Sequence, residues 1–143
     1  MASKLYGNFL LKALNKEVDF DTDTIKVALL TSAYTPNQDT HDYFNDVSAN
    51  EVTGTGYTQG GITLASKTAT YDSGTNVIVL DAADVTWSSS TITARYAVVY
   101  DSTGTASTSA LIGYVDFGSD QSSTNGNFTI TWDSTGIVRI TVA

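Results

Sequence analysis

The sequence predicts a mainly β fold: an antiparallel β-sandwich or jelly-roll-like barrel with one short N-terminal α-helix. Three observations carry this expectation. Runs rich in β-branched and aromatic residues are separated by turn signals at short, fairly regular intervals, the pattern of a sandwich or barrel. Only 15% of the 143 residues are charged, against roughly 25% in an average domain, and Ser, Thr, Gly and Asn fill the difference. The third is residues 92–100, Ile-Thr-Ala-Arg-Tyr-Ala-Val-Val-Tyr, which contain no Gly or Pro and end at the turn signal Asp101-Ser102-Thr103-Gly104. Alternation puts Ile92, Ala94, Tyr96 and Val98 on one face and Thr93, Arg95, Ala97 and Val99 on the other. From Tyr96 to Tyr100 both faces are apolar, so this half is expected to be a central strand with neighbours on both sides.

Taken in order, the elements begin with a helix over residues 4–14. Leu5, Phe9 and Ala13 recur at helical spacing, with Tyr6, Leu10 and Leu14 beside them. Ser3 is positioned to cap the start and Asn15 to stop it. About three turns are marginal alone, so residues 1–15 must dock on the sheet or on another subunit. Asp19, Asp21 and Asp23 have the spacing that opens a calcium loop. The Gly required at its sixth position is Thr24, however, and the Glu required at its twelfth is Leu30. An acidic turn before a strand is the better reading. Residues 24–30 form that strand, with Ile25, Val27 and Leu29 on one face.

Residues 31–47 hold the only proline, Pro36, and the only histidine, His41, together with Tyr34, Tyr43 and Phe44. Long structured loops often carry function, and exposed Tyr and Phe suit a protein contact. Asp39 and Asp42 beside His41 hint at a metal, but one His with two carboxylates is a weak signal. A solvated loop His is the expectation. Residues 51–61 are dense in glycine yet lack Lys and Arg, so strand bends explain them better than a phosphate cradle.

Beyond Gly61 the pattern is strand and turn. Residues 62–71 and 77–80 read as a hairpin, and 81–90 lead into the central strand. In 111–117, Leu111, Gly113, Val115 and Phe117 alternate against Ile112, Tyr114 and Asp116. Residues 120–126 read as a polar turn. Phe128, Ile130 and Trp132 alternate cleanly, and 137–142 close the chain.

Length fits one domain, residues 1–143, able to bury roughly 68–70% of its unfolded surface without disulfide or metal. The net charge of −8 argues against nucleic acid and anionic membrane as partners. The chain has no Cys, which excludes a disulfide framework, a thiolate zinc site and a Cys nucleophile. No signal peptide and no run of 18 apolar residues is evident, so a soluble protein made in the cytoplasm is expected. A Ser-His-Asp triad would have to use His41, and no Gly-x-Ser-x-Gly elbow occurs. No enzyme, cofactor or metal site is expected. Trp87 and Trp132 suit stacking on sugar rings, although the alternation of Trp132 with Phe128 and Ile130 favours core or interface.

Several segments resemble small structural proteins of tailed bacteriophages. They are Lys4-Leu5-Tyr6-Gly7-Asn8-Phe9 through Leu14-Asn15, Asp23-Thr24-Ile25-Lys26-Val27-Ala28-Leu29, the Tyr34-to-His41 loop and the Gly54-Thr55-Gly56-Tyr57 turn. Thr93-Ala94-Arg95-Tyr96-Ala97 and Val115-Asp116-Phe117-Gly118 complete the likeness. Size and composition are most similar to capsid decoration (cement) proteins. The resemblance implies a non-enzymatic virion protein on the capsid surface, made in the host bacterial cytoplasm. Such a protein binds the major capsid protein and stabilises the shell as a homo-oligomer, often a trimer. A tail component (tube, fibre-associated or host-surface carbohydrate-binding module) is the alternative, and a sugar-binding adhesin a third reading. Leu5, Tyr6, Phe9, Leu10, Tyr34, Pro36, His41, Tyr43 and Phe44 are the candidate protein-contact residues.

Overall fold

The computed structural model describes residues 2–143. The fold is mainly β and sandwich-like, built from two antiparallel sheets and one short helix. The elements are β1 (Ala2–Leu5), α1 (Phe9–Leu14), β2 (Ile25–Leu30), β3 (Ile62–Thr63), β4 (Thr68–Asp72), β5 (Val77–Asp81), β6 (Val85–Asp101), β7 (Leu111–Ile130) and β8 (Val138–Thr141). The larger sheet has the order β1-β7-β6-β2-β3 and the smaller β4-β5-β8. As its two apolar faces require, β6 is central, paired with β7 on one side and β2 on the other.

Both faces of the larger sheet are covered. Val27, Leu29, Ala97 and Val99 lie in one core with Leu80 and Val138 of the smaller sheet. Ala28, Leu30, Val98 and Tyr100 lie in a second core with Tyr6, Tyr34, Phe44 and Val47. The 31–50 segment, which includes 3-10 turns at Phe44–Asp46 and Ser48–Asn50, therefore acts as the lid of that second face.

The alternation expected for β6 is interrupted. Ala94 pairs with Gln121 but Tyr96 pairs with Asp116, so residues 117–120 bulge opposite Arg95. The bulge turns the strand over: Ile92 and Ala94 share a core with Ala97 and Val99, while Tyr96 and Val98 belong to the other. Arg95 Nε donates to Asp116 Oδ1 at 2.7 Å across the irregularity. A second irregularity between Val99 and Tyr100 skips Ile112, so that Ile112 shares a core with Val115 and Phe117 and Leu111 shares the other with Tyr114, which breaks the alternation expected in β7.

Three further expectations are corrected. Residues 120–126 are strand, because Ser122 and Ser123 pair with Thr93 and Ile92 of β6 and satisfy the backbone there. Residues 62–71 divide into β3, which pairs with β2, and β4, which pairs with β5. The N-terminal helix covers only Phe9–Leu14, since Ala2–Leu5 instead extend along β7 from Asp116 to Gly113.

Candidate protein-contact surface

The N-terminal segment and the 31–50 lid, which the sequence marked separately, meet in one place. Gly7 N donates to the Gln38 carbonyl at 2.8 Å. The Tyr6 and Tyr34 hydroxyls lie 2.8 Å apart, and the Tyr34 hydroxyl lies 2.9 Å from His41 Nδ1. Burial raises the Tyr6 phenol well above its ordinary value and pushes Tyr34 up to about 12, so both remain neutral hydrogen-bonding groups. His41 is thereby the outer end of a Tyr-Tyr-His chain that pins the lid. Among the described residues, no three His, Cys, Asp or Glu side chains are placed to hold a metal ion.

Four of the candidate contact residues are interior. Tyr6, Phe9, Tyr34 and Phe44 are all buried. Tyr34 packs edge-on to Tyr96 with ring centroids 5.4 Å apart, and Phe44 stacks on Tyr100 at 4.1 Å. Tyr6, Tyr34 and Phe44 close the second core, whose sheet face is itself aromatic, while Phe9 lies in the first. Leu5, Pro36, His41 and Tyr43 are half-buried, and Leu10 is exposed.

On α1 the inward residues are Phe9 and Lys12. The Lys12 ammonium lies 3.3 Å from the Tyr43 ring centroid, 3.4 Å from Glu17 and 3.5 Å from Asp42. Tyr43 in turn donates to Glu17 at 2.6 Å. Burial opposes the charge on Lys12, but Tyr43 and the two carboxylates outweigh it and its pKa is raised. Six residues cannot form a stable helix alone; this cation and Phe9 hold it. Its outward face is apolar: Leu10, Leu11 and Leu14 are 42%, 57% and 83% exposed. Leu11 was not singled out from sequence. The available signal was that it falls outside both stripes assigned to the helix, which left it no place in the core.

The 51–61 segment is latched by a buried carboxylate. Glu51 Oε1 accepts from the Tyr57 hydroxyl at 2.5 Å and from Gly60 N at 2.6 Å, while Leu29 N donates to Tyr57 at 3.0 Å. The Asp19–Asp23 turn is closed by its own side chains: Asp21 N and Thr22 N donate to Asp19, and Asp19 N donates to Asp23.

Asp101, 4% exposed at the end of β6, has a different environment. Burial, then a hydrogen bond and like charge from Asp23, push its carboxyl up to about 7, with Lys67 opposing. Because the folded value lies above the unfolded one, this site's stabilisation is full below about pH 4 and is lost as pH rises through about 7. Asp101→Asn removes the loss, since an amide keeps a donor toward Asp23 without a charge. We expect the variant to match wild type near pH 4 and to exceed it by on the order of 2–4 kcal/mol at about pH 8. Urea unfolding at the two pH values measures this.

Trp87 is buried, stacked on Tyr57 at 5.9 Å. Trp132 is half-buried and donates from Nε1 to the Ala83 carbonyl at 3.1 Å. It lines a groove of about 660 Å³ with Phe117, Gln121, Asn127 and Ile137, between β7 and the 131–137 segment. No helix among the described residues is long and apolar enough to cross a membrane. Comparison of the chain with protein-family models, with curated proteins and with solved structures returned no match.

Proposed function

We propose that this chain is a bacteriophage virion structural protein, a capsid decoration protein that binds the major capsid protein on the outer shell and stabilises it. The observation that carries the reading is the outward face of α1. A helix too short to stand alone is fastened by Phe9 and Lys12, yet it presents Leu10, Leu11 and Leu14 to solvent. Lys16, exposed just beyond it, adds positive charge on a chain of net charge −8. The face calls for a partner with an apolar pocket rimmed by carboxylates, and the phage-like segments of the sequence point to the capsid protein as that partner. Repetition over the shell multiplies a modest contact.

Fully burying a Leu contributes roughly 1.5–3 kcal/mol. The double variant Leu11→Asp/Leu14→Asp should therefore bind undecorated capsids at least about 100-fold more weakly, which is about 2.8 kcal/mol. Co-sedimentation with capsids measures it, with circular dichroism as the folding control. Binding unchanged in the folded variant contradicts the assignment of this face. The groove beside Trp132 supports a second reading, a tail module that meets host-surface carbohydrate, in which capsids bind neither protein.

A further inference from the structure

We propose that two copies of this chain pair through the free edge of β7, antiparallel across a two-fold axis, to continue the larger sheet from one protomer into the other. Strand β1 accompanies β7 only from Gly113 to Asp116. From residue 117 to 130 the only neighbour of β7 among the described residues is β6, so its other side presents unpaired N–H and C=O groups. Such an edge is a template for another strand unless charge, proline or brevity protects it.

The remaining edges of this fold are protected in those ways or covered, as where Thr55 bridges Thr91 on the side of β6 away from β7, ahead of its pairing with β2. Strand β3 has two residues, β1 carries Lys4, β4 has five residues and ends at Asp72, and β8 carries Arg139. On β7 the one charged residue from 117 to 130 is Asp120, which sits in the bulge opposite Arg95. From Gln121 to Ile130 there is none, and no proline.

The charge distribution selects the occupant. A chain of net charge −8 with 15 carboxylates repels its own copy over most of its surface. The uncharged β7 edge is where a second copy approaches without that cost. Antiparallel pairing of one edge with itself is self-complementary, and the closed symmetry follows. The adjoining groove, with Phe117, Trp132 and Ile137 in its wall, leaves room for the partner strand's alternate side chains.

Light scattering on a sizing column over a concentration series tests the proposal. Wild type should have twice the 15.2 kDa chain mass. Asn127→Lys/Thr129→Lys and Asn127→Asp/Thr129→Asp change exposed side chains, and each should raise the dimer dissociation constant at least tenfold. Effects of the same sign from opposite charges identify like-charge repulsion across the two-fold. The α1 variant Leu11→Asp/Leu14→Asp should remain dimeric, so that failure of capsid binding and failure of self-pairing are separate results. A monomer at every concentration, a trimer, or a dimer that both edge variants leave intact overturns the proposal.

Discussion

Replacing Phe44 by Ala should cost about 3–5 kcal/mol of folding stability, the range for removing a buried aromatic side chain. The ring is 7% exposed and stacked 4.1 Å from Tyr100 at an interplanar angle of 13°. Val47, fully buried, lies in the same core, as do Leu111 and the Tyr6–Tyr34 pair. Truncation leaves a void between the lid and the sheet that the lid cannot close, because Phe44 N and the Tyr43 backbone remain tied to the Ser109 and Ala110 stretch. At this chain length each kcal/mol corresponds to about 2–4 °C, so the melting temperature should fall by roughly 6–20 °C. An exposed anchor in a binding loop behaves differently: its loss changes stability by no more than about 0.5 kcal/mol. Thermal unfolding therefore decides whether the 31–50 segment is core or contact arm. A near-neutral Phe44→Ala would reject the core assignment.

The second large effect is expected at Gly61. Its φ is +76°, and a Cβ there would run into the Val27 carbonyl, 2.7 Å from the carbonyl carbon and 2.8 Å from Ala28 Cα. Both neighbours are backbone of β2, a strand buried on both faces, so nothing can give way cheaply. Gly61→Ala should destabilise by about 3–5 kcal/mol and release the Glu51–Tyr57–Gly60 latch alongside it. Gly104 supplies the control. Its φ is +86° but no atom lies within 4 Å of the added Cβ. Gly104→Ala should cost only the left-handed conformation, about 1–2 kcal/mol. Equal losses at the two positions would show that conformation, not the close approach to β2, dominates at Gly61. Urea denaturation of the pair gives the comparison.

These effects trace what was legible in the sequence. The strands were visible because β-branched and aromatic runs end at Gly, Asn and Asp turns, and the central position of β6 followed from its doubly apolar half. That same half also announced a cover. Tyr96, Val98 and Tyr100 needed a second apolar layer, and Tyr34 and Phe44 were the aromatics left to supply it. Treating them as contact residues overlooked that demand. The faces were not legible past Arg95, because period-two counting assumes an unbroken ladder and the bulge at residues 117–120 leaves no mark in hydrophobicity. The start of α1 was misplaced for a related reason. Lys4, Leu5 and Tyr6 fit a helical stripe and an edge strand equally well, and pairing with β7, a non-local interaction, decided between them. The polar run 120–126 resembled a turn because both paired strands there are rich in Ser and Thr, so neither shows an apolar period. What the helix stripes left out was Leu11, and that residue belongs to the exposed face on which the proposed capsid contact rests.

The most direct test of that contact is to locate the protein on intact virions by immunogold labelling. The proposal predicts many copies distributed over the head, with the label lost from virions assembled with Leu11→Asp/Leu14→Asp. Label confined to the tail would contradict capsid decoration and leave the groove beside Trp132 as the surface to pursue.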